Sequence, residues 1–110
     1  MTLWSKREIQ KLFRTSKRLL HHPGLDIKIA PRSGDIGRLL VVISRKVGSA
    51  PQRNLIRRRI KAIFYENKLF EKGFDWIFFT KPAATALTYS DMHGLIDHIL
   101  TQLPTSSSPL

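Results

Sequence analysis

Apolar positions along the 110-residue chain change their spacing several times, and each change marks an element. Ile9, Leu12, Phe13 and Ser16 fall at i, i+3, i+4 and i+7, with Lys6, Arg7, Lys11, Arg14, Lys17 and Arg18 between and beyond them. That pattern predicts an amphipathic helix. Ser5 and Glu8 have capping-box spacing, and Trp4 and Ile9 stand where a hydrophobic staple closes, so the helix starts at Ser5. It fades near Leu19 and Leu20, before His21-His22-Pro23-Gly24, because Pro23 disfavours helix at the residue before it. Residues 25–29 alternate with period two and predict a half-buried strand. A turn over residues 31–37 leads to residues 38–44, a continuous apolar run rich in β-branched side chains. Such a run predicts a central strand buried on both faces, paired with the first strand as an antiparallel hairpin.

Ser49 is the N-cap of a second helix that runs to about Lys68, with Pro51 tolerated in its first turn. At 100° per residue, Ile56, Ile60, Ile63 and Phe64 fall within an arc of about 100°. Arg53, Asn54, Arg57, Arg58 and Lys61 occupy the neighbouring arc of about 140°, and Arg59 lies outside it. Gly73 breaks the chain before an aromatic-rich third strand over residues 74–80. Thr88 and Asp91 then cap a last helix carrying Met92, Leu95, Ile96, Ile99 and Leu103 at helical spacing. The expected architecture is α+β, with a small central sheet covered by helices in the order α-β-β-α-β-α. Residues 1–103 read as one domain and residues 104–110, poor in core material, as a disordered tail.

Charge sharpens this picture. Lys and Arg number 19 against 8 Asp and Glu, a net +11. Residues 1–63 carry 16 basic and 3 acidic side chains, whereas residues 64–110 carry 3 basic and 5 acidic. Arg45, Lys46, Arg53, Arg57, Arg58, Arg59 and Lys61 follow one another with no acid between. Arg53, Arg57 and Lys61 at i, i+4 and i+8 set cations roughly 6 Å apart along one helix line. Phosphates recur on a similar scale along a nucleic-acid backbone, so a polyanionic partner is implied.

Candidate chemistry is otherwise sparse. The chain has no cysteine, which excludes disulfides, thiolate metal sites and a Cys nucleophile. It fits a reducing, cytoplasmic setting, and no apolar run is long enough to cross a membrane. His93 and His98 are five apart, so they do not share a helix face for zinc. No nucleophile-elbow, Walker or dinucleotide-binding motif occurs.

Residues 44–58, Ser-Arg-Lys-Val-Gly-Ser-Ala-Pro-Gln-Arg-Asn-Leu-Ile-Arg-Arg, resemble the signature of the bacterial ribonuclease P protein component. Arg45 and Lys46 match its basic pair, and Val47, Gly48 and Ala50 its turn. Arg53 and Asn54 match the start of its Arg-Asn-Arg element, and Arg57 and Arg58 the basic pair that follows. Leu55 departs from the second Arg of that element, Ser49 replaces an Asn, Pro51 is unusual, and Ile9 stands where an aromatic is common. The flanking Lys81-Pro82-Ala83 and Leu87-Thr88-Tyr89 also resemble the family.

The resemblance implies a left-handed βαβ crossover through the basic helix, against the usual right-handed rule. It implies the protein subunit of a ribonucleoprotein endonuclease that removes 5′ leaders from precursor tRNA. The RNA subunit would then hold the active site, with magnesium in the ribonucleoprotein, no cofactor bound by the protein alone, and no catalytic side chain in this chain. Arg45, Lys46, Arg53, Asn54, Arg57, Arg58 and Lys61 would face the catalytic RNA. A cleft between the first helix and the sheet, with Phe13, Ile9 and Lys17, would take the single-stranded leader, in a 1:1 complex of a monomer with the RNA. Either strand face, Asp26/Lys28 or Leu25/Ile27/Ile29, could line that cleft. Residue chemistry alone also fits a structural RNA-binding protein, such as a ribosomal protein or assembly factor.

Overall fold

The computed structural model describes residues 4–103 as three helices on a four-stranded sheet. The elements are α1 (Lys6–Thr15), β1 (Lys17–His21), β2 (Leu25–Pro31), β3 (Leu39–Ile43), α2 (Ala50–Glu66), β4 (Phe74–Thr80) and α3 (Tyr89–Leu100). The α+β class and the helix-covered sheet are as expected, but the order contains one more strand. The expected tail, residues 104–110, lies outside the described residues.

The extra strand is β1, which the sequence pattern assigned to the end of the first helix. Two hydroxyls stop α1 early. Thr15 donates to the Lys11 carbonyl at 2.9 Å and Ser16 to the Phe13 carbonyl at 3.2 Å, while Ser16 itself turns extended. Hydroxyls that bond the last carbonyls compete with helix continuation. The chain then forms a hairpin with β2, closed by reciprocal His22–Leu25 backbone bonds. A register shift between Arg18 and Leu20 marks a bulge in β1.

Strand order is β1-β2-β4-β3. The expected hairpin of residues 25–29 with residues 38–44 therefore does not form, because β4 sits between them. It pairs antiparallel with β2 and parallel with β3. The latter pairing makes β3 an edge strand, half-buried throughout rather than central. Its continuous apolar pattern has a simple cause: a helix layer covers each face, so Leu39, Val41 and Ile43 meet one core while Leu40 and Val42 meet another.

The larger core packs Ile56, Ile60, Ile63 and Phe64 of α2 and Met92, Ile96 and Ile99 of α3 against Leu25, Ile27, Ile29, Trp76 and Phe78 of the sheet. Thus the apolar arc expected of the second helix is buried, and that helix ends two residues earlier than expected, at Glu66. On the opposite face the smaller core joins Leu12 of α1 to Ala30 and Ile77. All three helices begin with a complete capping box: Ser5 with Glu8, Ser49 with Gln52, and Thr88 with Asp91.

A polar clamp fixes α1 to the β3 edge. Trp4 donates its indole N–H to the Leu39 carbonyl at 2.9 Å, and the Arg38 guanidinium lies 3.8 Å from the Trp4 ring centroid. Arg38 also donates to Glu8 at 2.7 Å. The buried Asp75 carboxylate accepts the Arg38 backbone N–H at 2.8 Å and so orients the entry into β3. Gly37 is needed just before it, since a Cβ there would lie 2.0 Å from the Phe74 carbonyl oxygen.

The Ser5 amide, and next the Arg38 guanidinium, hold the Glu8 carboxyl down from 4.5 to about 2. A depressed carboxyl stabilises the fold above its unfolded value, and that contribution is lost as pH falls from about 4.5 to 2. Glu8→Gln keeps the capping geometry but cannot titrate. Its acid-unfolding curve should be flatter than wild type across that window, as followed by circular dichroism at fixed ionic strength; parallel curves would remove Glu8 from the clamp.

Candidate nucleic-acid interface

The connection from β3 into α2 presents most of the basic motif. A 3-10 turn, Arg45–Val47, buries Val47 and leaves Arg45 and Lys46 exposed. Gly48 follows at φ 153°, where a Cβ would lie 2.0 Å from the Gln52 side-chain oxygen. Only glycine fits there, and its conformation delivers Ser49 to cap α2.

Along α2 the expected site residues divide by what they already touch. Arg53 is half-buried and donates to the Gly48 carbonyl at 2.9 Å, so it braces the turn as well as bordering the basic surface. Arg57 is aligned by a 2.9 Å hydrogen bond to Asn54 Oδ1. Arg58 is exposed, and Lys61 is half-buried one turn beyond Arg57. Leu55 is 39% exposed and lies just outside this arc, beyond Arg58 and before Arg59. Arg59, outside the basic arc, donates to the Leu87 carbonyl at 3.1 Å and ties α2 to the segment before α3. The helix therefore brings Arg53, Asn54, Arg57, Arg58 and Lys61 onto one surface and uses Arg59 for the fold.

A second surface lies on the α1 face of the sheet. α1 has only 10 residues and covers part of that face. Phe13, 42% exposed, stacks on Phe79 with ring centroids 5.8 Å apart and planes 27° apart. Lys28 Nζ stands 5.4 Å from the centroid of Phe79 on the sheet. Pairing puts Asp26 opposite Phe79, and there Asp26 accepts bonds from Lys81 Nζ and His21 Nδ1, both at 2.9 Å. Burial pushes the Asp26 carboxyl up, but these two donors outweigh it and its net shift is downward. Of the two strand faces left open by the sequence, the one beside Phe13 is Asp26/Lys28; Leu25, Ile27 and Ile29 are buried under α2 and α3.

The other expected cleft residues do not join Phe13. Lys17 is not helical: it opens β1 opposite Ile29, and its register puts it on the α2/α3 side, while Arg18 falls opposite Lys28 on the Phe13 side. Ile9, one turn before Phe13, lies half-buried in a separate groove between α1, the β3 edge and α2. Phe79 and Arg18 join this surface without having been marked by the sequence pattern, whereas Lys28 lies on one of the two strand faces it left open. Phe79 reads as one more strand aromatic, and Arg18 continues the helical spacing of α1 although it lies in β1.

The sequence matches the family profile described as Ribonuclease P over residues 1–104. The chain belongs to the ribonuclease P protein family. Among its relatives, the ribonuclease P protein component of Petrotoga mobilis is 36% identical over 74 residues, 66% of this chain and 62% of that protein. The match thus spans less than two thirds of that relative's length. The Bacillus pumilus component is 27% identical over 99 residues, 88% of this chain and 82% of that protein. The structure of the RNase P protein from Thermotoga maritima superposes with a TM-score of 0.78 at 23% identity, covering 94% of this chain and 98% of that one. That likeness is one of fold: both chains share the α+β architecture. Among the described residues no helix is long and apolar enough to cross a membrane.

Proposed function

We propose that this chain is the protein subunit of a ribonuclease P holoenzyme, binding the catalytic RNA through α2 and the 5′ leader of precursor tRNA across the Phe13 face. The observation that carries this reading is the separation of two RNA-suited surfaces on opposite sides of one sheet. Arg45, Lys46, Arg57, Arg58 and Lys61 offer cations to a folded RNA, while Phe13 and Phe79 offer a stack flanked by Lys28. Catalytic RNA and precursor tRNA are both polyanions, and a chain of +11 offsets their repulsion by displacing counterions. Aromatic stacking with nearby cations tolerates varied bases, which suits a leader of variable sequence. In this reading magnesium acts within the RNA, and no bond-breaking step falls to a side chain of this protein. A monomer bound 1:1 to the RNA is the simplest stoichiometry, and the cytoplasm its setting.

Reconstitution tests the assignment. With a bacterial ribonuclease P RNA the protein should stimulate precursor tRNA cleavage at low magnesium, and alone it should cleave nothing. Co-purification with ribosomal subunits instead of one RNA would favour a ribosomal role. Arg57→Ala with Arg58→Ala should lower the slope of log affinity against log salt by about 0.7–0.9 for each phosphate left without its cation. Leu55→Arg, at an already exposed position that departs from the family motif, should raise affinity and steepen the slope by a comparable amount, as one more phosphate is neutralised. A slope indifferent to all three substitutions would show α2 to be solvated surface. Phe13→Ala should weaken precursor tRNA by about fivefold or more while leaving mature tRNA unchanged; equal losses would return Phe13 to the core.

A further inference from the structure

The sheet ends at β3, and the outer side of that strand has no strand partner among the described residues. Backbone groups alternate sides along a strand. The carbonyls of Arg38 and Val42 turn inward, accepting from the Trp76 N–H at 2.8 Å and from Thr80 Oγ1 at 3.3 Å. Leu39 and Val41 therefore turn outward. The Leu39 carbonyl is taken by the Trp4 indole, whereas Val41 presents its N–H and C=O along the open edge.

This edge is the floor of a groove of about 440 Å³. Trp4 and Ile9 wall one side, Tyr65 and Phe70 the other, and Arg57 and Lys61 of α2 stand on its rim. Tyr65 is 60% exposed although it belongs to an aromatic cluster, with its centroid 5.3 Å from that of Phe64 and 5.9 Å from that of Phe70. The groove lies at the sheet edge, apart from the Phe13–Phe79 stack.

We propose that this groove binds one unstacked nucleotide of a partner RNA. The base lies against Tyr65 and Phe70, its hydrogen-bonding edge meets the main chain of Val41, and its phosphate meets Arg57 and Lys61. Charge and shape select this occupant. An apolar peptide anchor brings no anion to the basic rim, and a duplex presents phosphates but cannot place a flat ring in a groove of this size. A nucleotide carries an anion, a π face and a polar edge, and the groove supplies a complement to each. The inference rests on the reading of the chain as an RNA-binding subunit.

Nuclear magnetic resonance titration of the ¹⁵N-labelled full chain with each common ribonucleoside 5′-monophosphate in turn, and with ribose 5-phosphate, tests it. At least one nucleotide should move the Trp4 indole N–H and the Val41 amide, and ribose 5-phosphate should move neither. Tyr65→Ala, an exposed position, should weaken that nucleotide and a bacterial ribonuclease P RNA by about tenfold. Equal shifts from ribose 5-phosphate, shifts confined to the surroundings of Phe13 and Lys28, or no shift would overturn the groove as a base site. Unchanged RNA affinity in Tyr65→Ala, with wild type binding tightly, would overturn it while the RNA-binding reading stands. No affinity of wild type for the RNA would overturn that reading and this inference with it, whatever the nucleotides do.

Discussion

Two parallel neighbours in a sheet cannot be joined by a turn; the chain must travel the length of a strand between them. In this protein that constraint falls on β3 and β4. The chain between them is α2, so the strand pairing obliges the most basic segment of the sequence to lie as a helix over one face of the sheet. β4 meets the constraint by pairing on both sides. Its antiparallel partner β2 brings the β1 hairpin, and its two faces feed the two cores through Trp76 and Phe78 on one side and Ile77 on the other. Hydrophobic burial of Ile56, Ile60 and Ile63 then sets the rotation of α2 and turns Arg57 and Arg58 to the outside.

The same sheet gives the molecule unequal faces. Two helices bury one side, and the short α1 buries part of the other. What α1 leaves open is an aromatic pair with a lysine, and what fastens α1 is the burial of Leu12 together with a set of polar contacts at its N-terminus: Trp4 to Leu39, Arg38 to Trp4, and Arg38 to Glu8. Leu12 and Phe13 are neighbours in the chain, yet Leu12 is buried in the smaller core while Phe13 stays 42% exposed against Phe79.

Local physics explains which parts were legible in the chain itself. The capping boxes at Ser5 and Thr88, the cap at Ser49, the buried arc of α2 and the extent of β4 all depend on residues within a few positions of one another. Their spacing carries the information. The end of α1 was also local, but two signals competed. Apolar and basic residues continue at helical spacing through Arg18, while the Thr15 and Ser16 hydroxyls end the helix. The backbone followed the hydroxyls because β2 offers residues 17–21 an antiparallel partner, interrupted only by the bulge between Arg18 and Leu20.

Fold class, basic helix and family were thus determined by the sequence alone, because amphipathic period, cap chemistry and a dense run of cations need no partner to be read. Strand neighbours were decided only in the tertiary structure. Residues 25–29 and 38–44 are adjacent in the chain, but the best partner of each is β4, more than thirty residues further on, and no local pattern encodes that preference. The face of β2 beside Phe13, the replacement of Lys17 by Arg18 there, and the open edge at Val41 all follow from that pairing. A one-residue change of register reverses every side chain in a strand, so these assignments had to wait for the sheet to be assembled.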